Sequence, residues 1–268
     1  MRIYNNVTSL KNTNILNKVN KNKASNLERL SSGLRINKAS DDAAGLAISE
    51  KMRAQISGMK QSVRNASDGQ ALLQTAEGAL GEIGSILQRV RELTVQASND
   101  TNSDAERTAI KGEIDELVAQ IDSISTQTNF NGVDLIAGGA TLNIQIGANS
   151  DDSLEITFTD IDSASLGVDA ITIDSFDDAS AALDDIDAAL ETINEERAKL
   201  GAQVNRLDFT INNLNTSIEN LTDAESRIRD IDMAAEMVEF SKNNVLAQVG
   251  NSMLAQANAM PQSVLQLL

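Results

Sequence analysis

Between Leu46 and Ala97 the chain runs without a proline and places an apolar residue at every third or fourth position. Met52, Ile56, Met59, Val63 and Ala66 are followed by Leu73, Ala76, Leu80, Ile83, Leu87, Val90 and Ala97. That spacing collects them on one face of an α-helix. From Met52 to Ala97 the stripe extends roughly 70 Å at about 1.5 Å of rise per residue. Such a helix is a rod with a seam, and the seam must be covered by another rod. The stripe slips by one residue near Gln70, which predicts bundle packing with local irregularity in place of a strict supercoil.

A candidate partner lies far downstream. Leu183, Ile186, Leu190, Ile193, Leu200, Val204, Leu207, Ile211, Leu214, Ile218, Leu221 and Ile228 repeat at three- and four-residue intervals. One seam position is apolar in every heptad from Ile186 to Ile228, while the other is interrupted by Arg197 and Glu225. The repeat reads as a coiled-coil partner for the first rod, since few other elements are long enough to cover it. Leu73, Leu80, Leu87, Ile193, Leu200, Leu207 and Leu214 are the expected seam residues.

A third helix fits between them. Asn99–Asn102 is a turn, Ser103 and Glu106 form a capping box, and Ile110, Ile114, Leu117, Ile121 and Ile124 share one face. The short connection predicts an antiparallel return, ending before Asn131-Gly132. The period then changes to alternation. Leu142, Ile144 and Ile146, then Leu154, Ile156 and Phe158, predict a β-hairpin at about 141–159 with one apolar face. Residues 160–178 read as acidic and irregular, with one further short strand at Ala170–Ile173. The second rod begins near Asp178, and Thr222 with Glu225 predicts a pause in it.

Both ends are weaker. Ile3, Val7, Leu10, Leu16, Val19, Leu27, Leu30 and Leu34 give residues 1–38 a diluted amphipathic stripe, broken at Ser31-Ser32-Gly33. Ser40 reads as the start of the next helix, with Asp41 and Asp42 favoured in its first turn. The C-terminal segment carries Val245, Leu246, Val249, Met253, Leu254 and Ala257, with Pro261 before Val264 and Leu265. Such segments form marginal helices alone and gain order from partners. The fold class is therefore mainly α: a long antiparallel helical bundle or coiled coil with a small β-hairpin, its terminal helices paired as a coiled coil.

Composition narrows the chemistry. The chain has no His and no Cys. That excludes Ser-His-Asp catalysis, thiolate chemistry and His-ligated zinc. No pair of carboxylates stands out, so no catalytic, cofactor-binding or metal-binding residue is assigned. Asp100–Asp104 resembles the start of an EF-hand loop, but Ala105 and Lys111 stand where that loop needs Gly and Glu. The net charge of −17 is uneven. Arg2, Lys11, Lys18, Lys21, Lys23, Arg29, Arg35 and Lys38 crowd the first forty residues, whereas 147–188 is acidic without a single Lys or Arg. An exposed acidic middle follows, with ends that have a separate role. Only Tyr4 could stack on a base near the basic end, and the rest of the chain would repel phosphate, so no nucleic-acid partner is expected. Residues 1–10 lack the apolar run of a signal peptide, and the longest uncharged run, 243–268, is interrupted by Asn, Gln, Ser and Gly, so no membrane insertion is expected. Two weak amphipathic ends on a rigid bundle fit a subunit whose head-to-tail contacts do not close, that is, a helical polymer.

Three stretches make this specific. Leu30-Ser31-Ser32-Gly33-Leu34-Arg35-Ile36-Asn37-Lys38-Ala39-Ser40-Asp41-Asp42-Ala43-Ala44-Gly45-Leu46-Ala47-Ile48-Ser49, Glu225-Ser226-Arg227-Ile228-Arg229-Asp230-Ile231-Asp232-Met233-Ala234, and the ending from Met253 through Asn258 to Leu265 closely resemble bacterial flagellins. The likeness covers roughly 1–136 and 180–268. It implies an extracellular flagellar filament subunit for swimming motility that polymerises with copies of itself. It also implies a discontinuous inner domain (1–40 with 228–268), a bundle domain (41–227) and no outer insert domains. Val7, Leu10, Leu27, Leu30, Leu34, Val245, Val249, Leu254, Val264 and Leu265 are the expected polymerisation residues. The implied partners are the flagellar type III export apparatus, which needs no cleaved signal peptide, an export chaperone on the C-terminal helix, and junction and cap proteins. Leu87–Leu93 also resembles the segment through which flagellins meet Toll-like receptor 5 of animals, with Arg89, Leu93 and Glu113 as the contact residues. A hook–filament junction protein shares such ends and is the nearest alternative. A chemoreceptor-type signalling coiled coil is a more distant one, lacking here the membrane span it needs.

Overall fold

A computed structural model of the chain describes residues 6–265, the last five by their backbone alone. Ile3 and Tyr4, and the side chains of Val264 and Leu265, lie outside the described residues. Five helices carry the fold: α1 (Val7–Ser32), α2 (Ala43–Ala97), α3 (Asp104–Gln127), α4 (Phe176–Arg229) and α5 (Met233–Leu265). Two small antiparallel pairs lie between α3 and α4: β1 (Asn129–Phe130) with β2 (Val133–Asp134), and β3 (Thr141–Gln145) with β4 (Ser153–Thr157). The chain divides into two compact units, one formed by 1–56 with 219–268 and one by 57–218.

The second unit holds a continuous apolar core. Leu73, Leu80, Leu87, Ile193, Leu200 and Leu207 are all buried there, together with Ile114 and Ile121 of α3. Leu214 is half-buried. Polar pairs fix an antiparallel register between the two rods: Arg91 with Asp187 at 2.6 Å and Arg197 with Glu77 at 3.2 Å. Leu154, Ile156 and Phe158 of the hairpin are buried, and Leu142 and Ile144 pack against the same core. The hairpin comes close to α2 at Gly69, where a Cβ would run into Ile144. The Ser103 cap forms as expected, its N–H donating to the Glu106 carboxylate at 2.8 Å.

The structure corrects four expectations. No strand forms at Ala170–Ile173. Residues 160–175 instead form an irregular strap whose Ile161, Leu166, Val168, Ile171 and Ile173 are buried in the core. Helix α4 runs through Thr222 and Glu225 without a pause, because the tertiary seam outweighs a local cap. Helix α2 starts after Asp42, not Ser40: the Asp42 carboxylate accepts from the Gly45 N–H at 2.9 Å, while Asp41 turns back to the N–H groups of Asn37 and Lys38. Helix α1 ends at the expected break, at Ser32, with Gly33 in the left-handed region (φ 72°). The β1–β2 pair was not expected. Its turn is Asn131-Gly132, both at positive φ, a two-residue connection suited to strand twist.

Candidate assembly interface

The unit that joins the two ends is built from α1, the start of α2, the end of α4, and α5. Between α1 and α2, and between α4 and α5, the chain leaves the helical path and the two breaks pair. Arg35 donates its N–H to the Arg229 carbonyl at 2.7 Å, and Ile231 donates to the Gly33 carbonyl at 3.1 Å. Leu34 and Asp230 face each other across this short clasp. Arg229 also donates to the Glu50 carboxylate at 2.6 Å. That hydrogen bond and the charge behind it hold the Glu50 carboxyl below its ordinary range. The Asp41 carboxyl is lowered too, chiefly by the Lys38 and Asn37 N–H groups. Asp232 restarts the helix on the other side, accepting from the N–H groups of Ala234 and Ala235.

Helices α1 and α5 lie antiparallel. Ser9 donates to Asn258 at 2.7 Å, Asn6 to the Ala257 carbonyl at 2.7 Å, and Lys23 to Asn244 at 2.8 Å. Lys23 also sits over the Phe240 ring, 5.9 Å from its centroid. Their shared seam is unusual. Among the described side chains of the two helices, the buried ones are Asn26, Asn243, Ala247 and Ala257. Many of the large apolar residues point the other way, although Leu16 and Val19 are half-buried and Leu16 meets Gly250. Leu10 is 65% exposed and Val245 58%, and Val7, Ile15, Leu27, Val238, Val249 and Met253 are exposed with them. Leu30, Leu34 and Leu254 are half-buried. Of the residues expected to drive assembly, those with described side chains are therefore exposed or half-exposed. Val7, Leu10, Leu27, Val245 and Val249 are left uncovered by the intramolecular pair.

In the second unit the structure brings Arg89 and Glu113 together, 3.0 Å apart and exposed, with Glu92 also on Arg89 at 3.2 Å. Glu113, then Glu92, raises the Arg89 pKa further above its usual value. Leu93 is not with them at the surface. It is 3% exposed and belongs to the core. Leu93 shares the buried helix face of Val90 and Ala97, whereas Arg89 and Glu113 lie at the surface. No described helix is long and apolar enough to cross a membrane.

The model of the bacterial flagellin N-terminal helical region matches residues 3–141, and that of the C-terminal helical region matches 183–268. The chain belongs to the bacterial flagellin family. Among its relatives, the flagellin of Halalkalibacterium halodurans is 51% identical over 245 residues, covering 90% of each chain. The Bacillus subtilis flagellin is 47% identical and matches all of both chains. The crystal structure of Bacillus cereus flagellin aligns with a TM-score of 0.50 at 35% identity, covering 56% of this chain and 88% of that one. The present flagellin is accordingly a structural protein, a self-polymerising subunit of the extracellular flagellar filament.

Proposed function

We propose that this flagellin polymerises through its terminal helix pair, residues 1–40 with 228–268. The pair forms the inner layer of the filament, and 41–227, with its hairpin at about 141–159 and no outer insert domain, forms the layer outside it. The observation that carries this reading is the exposure of Val7, Leu10, Leu27, Val245 and Val249 on a pair whose own seam buries Asn and Ala. Many large apolar side chains exposed on one helix pair mark a surface that a neighbour covers. Repeated head-to-tail contacts that do not close build a helix of subunits.

Export through the flagellar type III apparatus fits a chain whose terminal helices expose apolar side chains that a neighbour covers only on assembly. A chaperone that shields α5 would cover the Met- and Val-rich surface of Met237, Val238, Val245 and Met253. Junction and cap proteins would meet the same terminal surface at the two ends of the polymer. Toll-like receptor 5 would meet the paired charges of Arg89 and Glu113, with Leu93 holding their helix in place from the core.

Electron microscopy of the purified chain, seeded with filament fragments, tests the assembly reading. Long, uniform, hollow filaments are expected from the full chain, and soluble subunits with intact bundle helicity from a chain lacking residues 250–268. Filaments from the truncated chain would overturn it.

A further inference from the structure

The seam between α1 and α5 contains a polar layer. Asn26 and Asn243, each only 8% exposed, line a common cleft of about 300 Å³ with Arg29 and Glu236. Arg29 Nε and Glu236 Oε1 are buried in the described structure without hydrogen-bond partners. A buried polar layer costs stability, since each unsatisfied group loses its water. An Asn at the seam of paired helices has a known physical use: it tolerates one register and penalises the others. Most large apolar residues of this pair face outward, and those that reach the seam, such as the half-buried Leu16 against Gly250, leave few apolar contacts to set the register. We propose that Asn26 and Asn243, supported by Arg29 and Glu236, are the residues that fix the register of the terminal helix pair, and with it the spacing of the apolar surface presented to neighbouring subunits. The proposal rests on the reading that the terminal helices assemble as a pair.

The geometry defines what a slip would do. In the observed register Leu16 lies against Gly250 and Lys23 against Asn244. A slip of one heptad would set Asn243 against Val19 and Asn26 against Glu236, leaving the Asn243 amide on a β-branched apolar side chain. Beyond the Leu16 contact, the small seam residues Ala247 and Gly250 offer little resistance to sliding, so the polar layer carries most of the discrimination.

The chain has no Cys, which allows the register to be read by introduced pairs. A Cβ on Gly250 would lie 4.0 Å from the Leu16 Cβ, which suits a disulfide. Leu16→Cys with Gly250→Cys therefore reports the observed register, and Ser9→Cys with Gly250→Cys reports the one-heptad slip. Both are oxidised in otherwise unchanged full-length chains, and in full-length chains that carry Asn26→Leu with Asn243→Leu. Co-assembled single-Cys chains give the contribution of links between copies. The expected result is the Leu16–Gly250 link alone in the natural background, and gain of the Ser9–Gly250 link in the Leu background. A second variant, Val19→Asn with Asn26→Val, moves the polar position by one heptad and is expected to make the Ser9–Gly250 link the main product. Soluble chains are oxidised in the same way where a variant does not assemble. An unchanged Leu16–Gly250 link in both variants would overturn the register proposal. Absence of the Leu16–Gly250 link in assembled natural-background chains would instead strike the reading that the ends assemble as a pair.

Discussion

Lys111 of α3 donates its ammonium to the backbone carbonyl of Ile171, 3.0 Å away, and so ties the irregular strap to the bundle. Arg107, one turn earlier, donates to the carbonyl of Asp174 at 3.0 Å. Further along α3 the Asp122 carboxylate accepts from the Ser163 N–H and hydroxyl, each at 2.9 Å. The acidic middle of the chain is thus held by its backbone, and its carboxylates face outward while Ile161, Val168 and Ile173 fill the core. Such backbone carbonyls need partners when a non-helical segment is packed down, and the cations of α3 supply them.

Arg107→Ala removes the hydrogen bonds to Asp174 and Asp100 from a side chain that is only 11% exposed. A loss of about 1–3 kcal/mol of stability is expected, as for other hydrogen bonds to charged groups. Urea unfolding followed by far-UV circular dichroism measures it. An unchanged midpoint would mean that the strap holds without its tether.

The seam makes a graded prediction. Leu200 and Leu207 are fully buried, whereas Leu214 is half-buried. Leu200→Ala is expected to cost about 2–5 kcal/mol and Leu214→Ala clearly less, because the cavity left at a half-open site collapses or fills with water. Leu207→Asp is expected to unfold the bundle, since it buries an unpaired charge. Equal unfolding midpoints for the two Ala variants, or unchanged melting of Leu207→Asp, would contradict the seam.

The rods were legible in the sequence because a helix seam repeats over many turns, and each turn adds to the same signal. Leu73, Leu80, Leu87, Ile193, Leu200 and Leu207 fall where that repeat puts them. The strap was not legible. The intervals between Ile161, Leu166, Val168, Ile171 and Ile173 follow neither helix nor strand period, and only the tertiary surface of α3 makes them one face. The start of α2 was misplaced because Ser40, Asp41 and Asp42 are all good caps, and the choice depends on Asp41 being engaged by Asn37 and Lys38. At the ends the sequence marked an amphipathic stripe, but such a stripe does not say what it faces. Here Asn26, Asn243, Ala247 and Ala257 are buried in the intramolecular seam, and Val7, Leu10, Leu27, Val245 and Val249 are exposed. The two-residue strands of β1 and β2 were too short for alternation to register.

Acid should loosen the clasp through Glu50. Its carboxyl is held low in the folded chain by Arg229, so the ionised form is the one that stabilises. That contribution is whole above the ordinary carboxylate range. It is lost as the pH falls through that range and on through the depressed value. The measurement is thermal melting of the natural chain and of Glu50→Gln from neutral pH downward. The natural chain is expected to melt higher near neutrality, with the gap closing in acid and also shrinking in high salt, as befits an exposed pair. A gap that does not change with pH would remove Glu50 from the clasp.

Arg89 and Leu93 should separate binding from folding. Arg89→Asp destroys the exposed pairs with Glu113 and Glu92 and sets a third carboxylate beside these two. Exposed pairs of this kind contribute about 0–1 kcal/mol, so melting is expected to shift little. Leu93→Ala opens a cavity in the core and is expected to cost about 2–5 kcal/mol. In a receptor-binding assay at a temperature where both chains are folded, Arg89→Asp should lose binding while Leu93→Ala keeps most of it, because a buried side chain acts only by holding its helix in place. Full binding by Arg89→Asp would remove the Arg89–Glu113 pair from the receptor contact, and loss of binding confined to Leu93→Ala would point to a surface that the folded bundle does not display.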